Sequence, residues 1–280
     1  MLDILLDALL DSLKTLPFLL GAYLLIEFLE HRAGSRIAGA LSRLGPFGPL
    51  GGAVLGCVPQ CGCSVAAANF YAGRLITPGT LLAVFMATSD EALPMLLSQP
   101  QTGGVLLRLL GVKLIAGTLT GLLADLVVFR WLKSSPPQPF HELCEGCGCE
   151  EQGLFRSALR HTVRVFGFIL AVNLALSLAI AAVGQERISH LLLTGSAFQP
   201  LLAALLGFIP NCAASVLLTE LYLAGSLSFG SAVAGLCTGA GMGLAVLFQV
   251  NRNWKENLSI AATLYVAAVL TGTACQFLFP

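Results

Sequence analysis

Three cysteines, Cys57, Cys61 and Cys63, stand within seven residues in the stretch GCVPQCGCS at 56–64, in the middle of a long apolar run. A near-copy, GFIPNCAAS at 207–215, returns 151 positions later and puts Cys212 where the first copy has Cys61. Pro59 matches Pro210, Gln60 matches Asn211 and Ser64 matches Ser215. Thiolates are soft ligands suited to thiophilic metals and metalloids, whereas a single buried cysteine is usually a small apolar packing residue. Three beside one proline, with a fourth at the matching position, favour a ligand role. Gln60, Asn211, Ser64 and Ser215 add amide and hydroxyl groups to the same candidate transport site.

A second candidate is TSDEALP at 88–94, which sets Asp90 and Glu91 side by side inside an apolar run. Intramembrane carboxylates are costly when charged and are functional candidates by default. Pro94 cannot donate back to the carbonyl of Asp90, which leaves that oxygen available as a further ligand. The matching stretch, TGAGMG at 238–243, carries no acid and three alternate glycines. Glu220, two turns beyond the second break, is expected near the same cavity, and Lys113 is the internal counter-ion for one acid. Glu27 and Asp125 fall near span ends, where an interfacial role is expected.

The third candidate is polar. HELCEGCGCEE at 141–151 supplies His141, Cys144, Cys147 and Cys149 within nine residues. A Cys3His set is enough for a tetrahedral metal site, and the intervening glycines let the backbone wrap an ion.

The elements that must position these groups follow from the apolar runs and their interruptions. Proline removes a backbone donor and clashes with the preceding turn, so each Pro-x-Cys copy should break its helix. Non-helical backbone at membrane depth survives only inside protein or beside a cavity, and paired breaks in two halves mark a transporter's binding site. Residues 17–29 begin a first span. Residues 46–58 and 65–73 are too short for a roughly 30 Å hydrocarbon core and form a hairpin or two short tilted spans. Residues 80–97 and 104–129 are expected to cross fully. The pattern repeats as 165–183, 197–209 with 213–224, 229–250 and 258–279. Gly117 and Gly121 fall opposite Ala268 and Gly272, small residues that let helices approach closely.

Each half then crosses an odd number of times, so the halves are inverted. Placing Arg32, Arg36, Arg43, Arg74, Arg130, Lys133, Arg156, Arg160, Arg164, Arg252 and Lys255 inside leaves Lys14, Arg108, Lys113 and Arg187 of the fifteen basic residues elsewhere. This satisfies the positive-inside rule and puts both termini outside. The expected fold is an all-α polytopic membrane protein of two inverted repeats, 1–133 and 154–280. Each has a proline-broken short-helix hairpin and full transmembrane helices, and a cytosolic His/Cys-rich loop at 134–153 joins them.

Composition agrees. The 280 residues are 56% hydrophobic and 11% charged with zero formal net charge, against roughly 25% charged in soluble domains. Nothing points to nucleic acid. The start lacks the basic leader and cleavage site of a signal peptide; Asp3, Asp7 and Asp11 instead line the polar face of a short amphipathic helix. No GxxxxGK[ST] motif is present, which argues against an ATPase, and no enzyme activity is expected.

PQCGCS, TSDEALP, the His/Cys-rich loop, PNCAAS and TGAGMG, in this order, resemble the ten-helix heavy-metal exporter family, also labelled arsenic-efflux-like permease or manganese transporter. The resemblance spans nearly the whole chain and implies an efflux permease of the bacterial inner membrane. Three readings follow. The first is a secondary transporter exporting a soft metal or metalloid through a cysteine-lined site. The second is a manganese or other divalent-cation transporter using Asp90 and Glu91, since oxygen ligands suit harder ions. The third is a membrane thiol–disulfide electron shuttle using Cys61 and Cys212, a scheme that leaves the acids and the loop without a role. No cofactor is required; the metal ion is substrate, with a further metal expected on the loop. Expected partners are that ion and the lipid bilayer, with a homodimer left open.

Overall fold

Proline and glycine decide where the helices of this apolar chain begin and stop. The computed structural model describes residues 47–58, 61–89, 92–97, 102–128 and 198–279, with isolated helical positions between 13 and 24 and between 159 and 175. In the first half lie α1 (Gly48–Gly56), α2 (Cys61–Ala72), α3 (Pro78–Ala87), α4 (Ala92–Leu97) and α5 (Gly103–Leu123), which continues into a π-helical turn at Ala124–Val128. In the second half lie α6 (Gln199–Gly207), α7 (Cys212–Leu223), α8 (Phe229–Thr238), α9 (Met242–Val250) and α10 (Trp254–Leu278). The described elements are all helical. Adding 151 carries both ends of α1, α2 and α3 onto α6, α7 and α8, and the start of α5 onto that of α10. The sequence repeat is therefore a repeat of backbone as well.

The starts of α3 and α8 show how one geometry is met by different residues. Thr77 and Ser228 are the N-caps, both in extended conformation, and each hydroxyl oxygen accepts from the N–H three residues on, of Thr80 and of Ser231. The first cap is held by Asp125, whose carboxylate accepts from Thr77 Oγ1 at 2.6 Å and from the Gly79 N–H at 2.7 Å. Gln199 does this work in the second, accepting from the Ser228 N–H at 3.1 Å and from Ser231 Oγ at 3.0 Å. Asp125 thus ties the end of α5 to the start of α3.

Four stretches among the described residues are long and apolar enough to cross a membrane: Pro78–Leu97, Gly103–Val127, Phe229–Val250 and Trp254–Leu278. Pro78–Leu97 and Phe229–Val250 are 81% and 83% buried, against 22% and 28% for the other two. The first pair is therefore the core and the second its flanks. Small residues set the spacing. A Cβ on Gly121 would stand 2.7 Å from Pro49 Cβ, and one on Gly272 2.5 Å from Ala234 Cβ. Gly117 likewise faces the Ala83 carbonyl. The small-residue spacing read from sequence thus packs α5 on α3 and α10 on α8.

Contacts give the running directions. Along α1, Gly48 and Gly52 face Thr80 while Gly56 faces Val84 and Ala87, so α1 runs beside α3 in the same sense. The chain comes back along α2 to the end where α3 starts, reached at Arg74. There Arg74 pairs with Glu256 in the first turn of α10, its Nη1 2.6 Å from Oε1 and Nη2 2.9 Å from Oε2. Tyr71 Oη donates to the same carboxylate. At the opposite end, the Arg108 guanidinium near the start of α5 lies 5.7 Å from the ring of Phe279, just past α10. Thus α5 and α10 run antiparallel. The ion pair also puts Arg74 at the end that carries Arg252 and Lys255.

Residues 80–97 and 229–250, both expected to cross fully, are long and apolar enough to do so, and the structure adds that each is made of two helices. The first stops at Ala87 and restarts at Ala92; the second stops at Thr238 and restarts at Met242. Pro94 is tolerated in the first turn of a new helix but not inside a continuous one. Gly241 adopts φ 54°, ψ −141°, a conformation open essentially to glycine alone. Residues 25–46, Pro59 and Gln60, Asp90 and Glu91, 129–158 with the His/Cys-rich loop, and 176–197, for all of which the sequence carries expectations, lie outside the described residues.

Candidate functional site

Broken helices expose their ends, and here those ends converge. α2 starts at Cys61 and α7 at Cys212, while α3 stops at Ala87 and α8 at Thr238. Helix starts carry positive partial charge with unpaired N–H groups, and helix ends carry negative partial charge with unpaired carbonyls. Asn211 closes the start of α7, its side-chain oxygen accepting from the Ala213 N–H at 3.0 Å. A Cβ on Gly243, at the start of α9, would stand 2.7 Å from Ser64 Cβ. One on Gly239 would stand 3.4 Å from Ser215 Oγ. The two serines of the repeated motifs, one from each half, therefore flank the glycine-rich break at 239–243.

The other break is lined by hydroxyls. Thr88 Oγ1 donates to the Val84 carbonyl at 2.7 Å and Ser89 Oγ to that of Ala87 at 3.3 Å, both residues buried. Lys113, in the middle of α5 and with no exposed surface, donates from Nζ to the carbonyls of Thr88 and of Leu236, the latter at 2.8 Å. One ammonium thus touches the ends of α3 and α8 together.

The cysteines are distributed around this junction. Cys57, just past α1, and Cys63, in the first turn of α2, are half-buried, and Cys212 is buried. Cys237 was missed in the sequence reading. It lies one residue before the end of α8, fully buried, and shares with Cys57 the electrostatic field of Lys113. Its signal was its position immediately before TGAGMG; it was missed because no cysteine matches it 151 residues earlier. No disulfide joins the described cysteines, and no three His, Cys, Asp or Glu side chains among the described residues lie close enough together to hold a metal ion. Glu220 stands apart: it is exposed on the last turn of α7, about 12 Å along the axis from Cys212. The side chain of Cys61, and Gln60, Asp90, Glu91, His141, Cys144, Cys147 and Cys149, fall outside the described residues.

Paired helix breaks within a bundle of long apolar helices are consistent with a polytopic membrane protein. The family model described as "Putative, 10TM heavy-metal exporter" matches residues 150–278, which is most of the second half. The match supports the resemblance drawn from the motifs of both halves. Neither a curated protein nor a solved structure matches the chain.

Proposed function

We propose that this chain is a secondary transporter of the cell membrane that exports a soft heavy-metal or metalloid ion through the junction of its broken helices. The observation that carries the reading is the convergence of four helix interruptions, two from each half, on buried hydroxyls and thiols within an apolar bundle. Inverted repeats are part of the proposal: corresponding elements run in opposite senses, α5 toward the Arg74–Glu256 end and α10 away from it. In this scheme α1 and α2 enter and leave from one end as a hairpin, α6 and α7 from the other. Arg74, Arg252, Lys255 and the other basic residues assigned inside face the cytosol, both termini lie outside, and the Cys144–Cys149 loop collects metal on the cytosolic side. Cys61 and Cys212 open matching helices and are assigned the ion.

The test is efflux from, or uptake into, vesicles holding the purified chain, across a panel of arsenite, antimonite, cadmium, zinc and manganese. Export of the soft ions, lost in Cys61→Ser and Cys212→Ser, is expected. Transport of manganese alone, insensitive to both substitutions, transfers the site to Asp90 and Glu91. A reversible Cys61–Cys212 disulfide without ion flux would instead favour electron transfer.

A further inference from the structure

Two buried carbonyls at the ends of broken helices need a hydrogen-bond donor. The Thr88 carbonyl lies at the C-cap of α3. The Leu236 carbonyl lies in the last turn of α8, and its ordinary partner, the Ala240 N–H, turns instead to the Thr238 carbonyl at 2.7 Å. Both lie inside protein, where such groups must be satisfied. In transporters with discontinuous helices, unwound carbonyls and helix C-terminal ends are where coupling cations bind. Here both carbonyls receive the ammonium of Lys113. One comes from each half, so the ammonium also joins the two halves. The matching position of α10 is Leu264, fully buried and apolar. Among the described residues, the pair of breaks is thus served by one cation, supplied from the first half.

We propose that Lys113 is a tethered cation: its ammonium permanently fills the position between the broken spans that a coupling alkali-metal ion otherwise takes, so the protein needs no sodium there. The coupling consequence rests on the transport reading above; the binding consequence does not. Lysine suits the role because its compact charge sits on a flexible four-carbon stem and can present donors to two carbonyls at once. It is a positioning residue, acting through the helix ends it joins.

The binding test uses the full chain in detergent. Thermal unfolding of wild type, Lys113→Met and Lys113→Arg is followed in sodium, potassium, methylammonium and choline chlorides at equal ionic strength. Wild type is expected to respond alike to all four. Lys113→Met should unfold lower, and regain about 3 °C or more, saturably, with one of the small cations but not with choline. Lys113→Arg should lose less than Lys113→Met. Equal stability of Lys113→Met and wild type, or a loss that no small cation recovers selectively, overturns the proposal. The transport arm uses vesicles. Wild-type flux should be the same with and without sodium, and stimulation by sodium overturns the proposal even if Lys113→Met proves too unstable to purify. If small cations bind Lys113→Met and restore its stability while no ion in the panel is transported by wild type, the tethered cation stands and the transport reading falls.

Discussion

Single residues at the junction carry the sharpest constraints. Gly243 lies against Ser64 so closely that a methyl group would stand 2.7 to 2.9 Å from the Ser64 Cβ, carbonyl carbon and oxygen, two of which are backbone atoms that cannot swing aside. Gly243→Ala is therefore expected to cost about 1–3 kcal/mol, the usual range for overpacking, read as a lowered unfolding midpoint. Gly51, with nothing within 4 Å of its would-be Cβ, is the control: Gly51→Ala should be neutral or stabilising. The asymmetry between breaks gives a second prediction. Asp90 and Glu91 precede Pro94, whereas the second half offers only glycines, so any proton coupling should load onto the first half. Asp90→Asn is expected to uncouple flux from an imposed pH gradient while leaving a folded protein, because Asn nearly conserves shape. Unaltered gradient dependence in both Asp90→Asn and Glu91→Gln would make the acids structural.

At the scale of elements, the repeat was legible because prolines and cysteines recur at one offset, and α1, α2 and α3 keep that offset at both ends. The two mid-span breaks were legible as loosened backbone at matching depth, but not as helix ends. Pro94 and the alternate glycines were visible, but hydropathy runs through both stretches unchanged, and the backbone conformation that ends each helix leaves no mark in composition. Equivalent positions also hide their partners. Asp125 and Gln199 hold the starts of α3 and α8, yet Asp125 corresponds to Gln276 and Gln199 to Gly48, so no offset links the two. Only packing reveals the shared role. The caps themselves should be worth similar amounts. Thr77→Ala and Ser228→Ala are each expected to cost about 1 kcal/mol or more, since each removes an N-cap acceptor and a partner of Asp125 or Ser231. Calorimetry on the two variants would contradict this if either matched wild type. A double substitution should be close to additive, the two caps lying in separate hydrogen-bond sets.

For the whole molecule, the two ends are built differently although the halves are copies. At one end Arg74 and Glu256 join α2 of the first half to α10 of the second, with the Tyr71 hydroxyl on the same carboxylate. The Arg74 guanidinium is held above its ordinary pKa by its hydrogen bond to Glu256, so it is cationic at every working pH. At the other end the matching positions are Gly225 and Val105, which cannot pair, and Tyr222, Phe229 and Phe279 stack edge to face instead. Arg74 holds φ 58° where Gly225 holds φ 74°, the one non-glycine in this region among the described residues. A side chain there is strained by about 1–2 kcal/mol, and what the strain retains is a charge bridge between halves. If the halves rock about the junction, this end is the more firmly closed. Charged hydrogen bonds are worth about 1.5–3 kcal/mol, and about 1.4 kcal/mol is a tenfold population change. Glu256→Gln should therefore raise labelling of a Ser89→Cys reporter by an impermeant thiol reagent roughly tenfold from the Arg74 end. Arg74→Gly should do the same without loss of fold, since glycine relieves the strain as it removes the charge. Labelling that stays unchanged in both variants, or rises from the opposite end, would show that the ion pair is a static brace and that the closed end lies elsewhere.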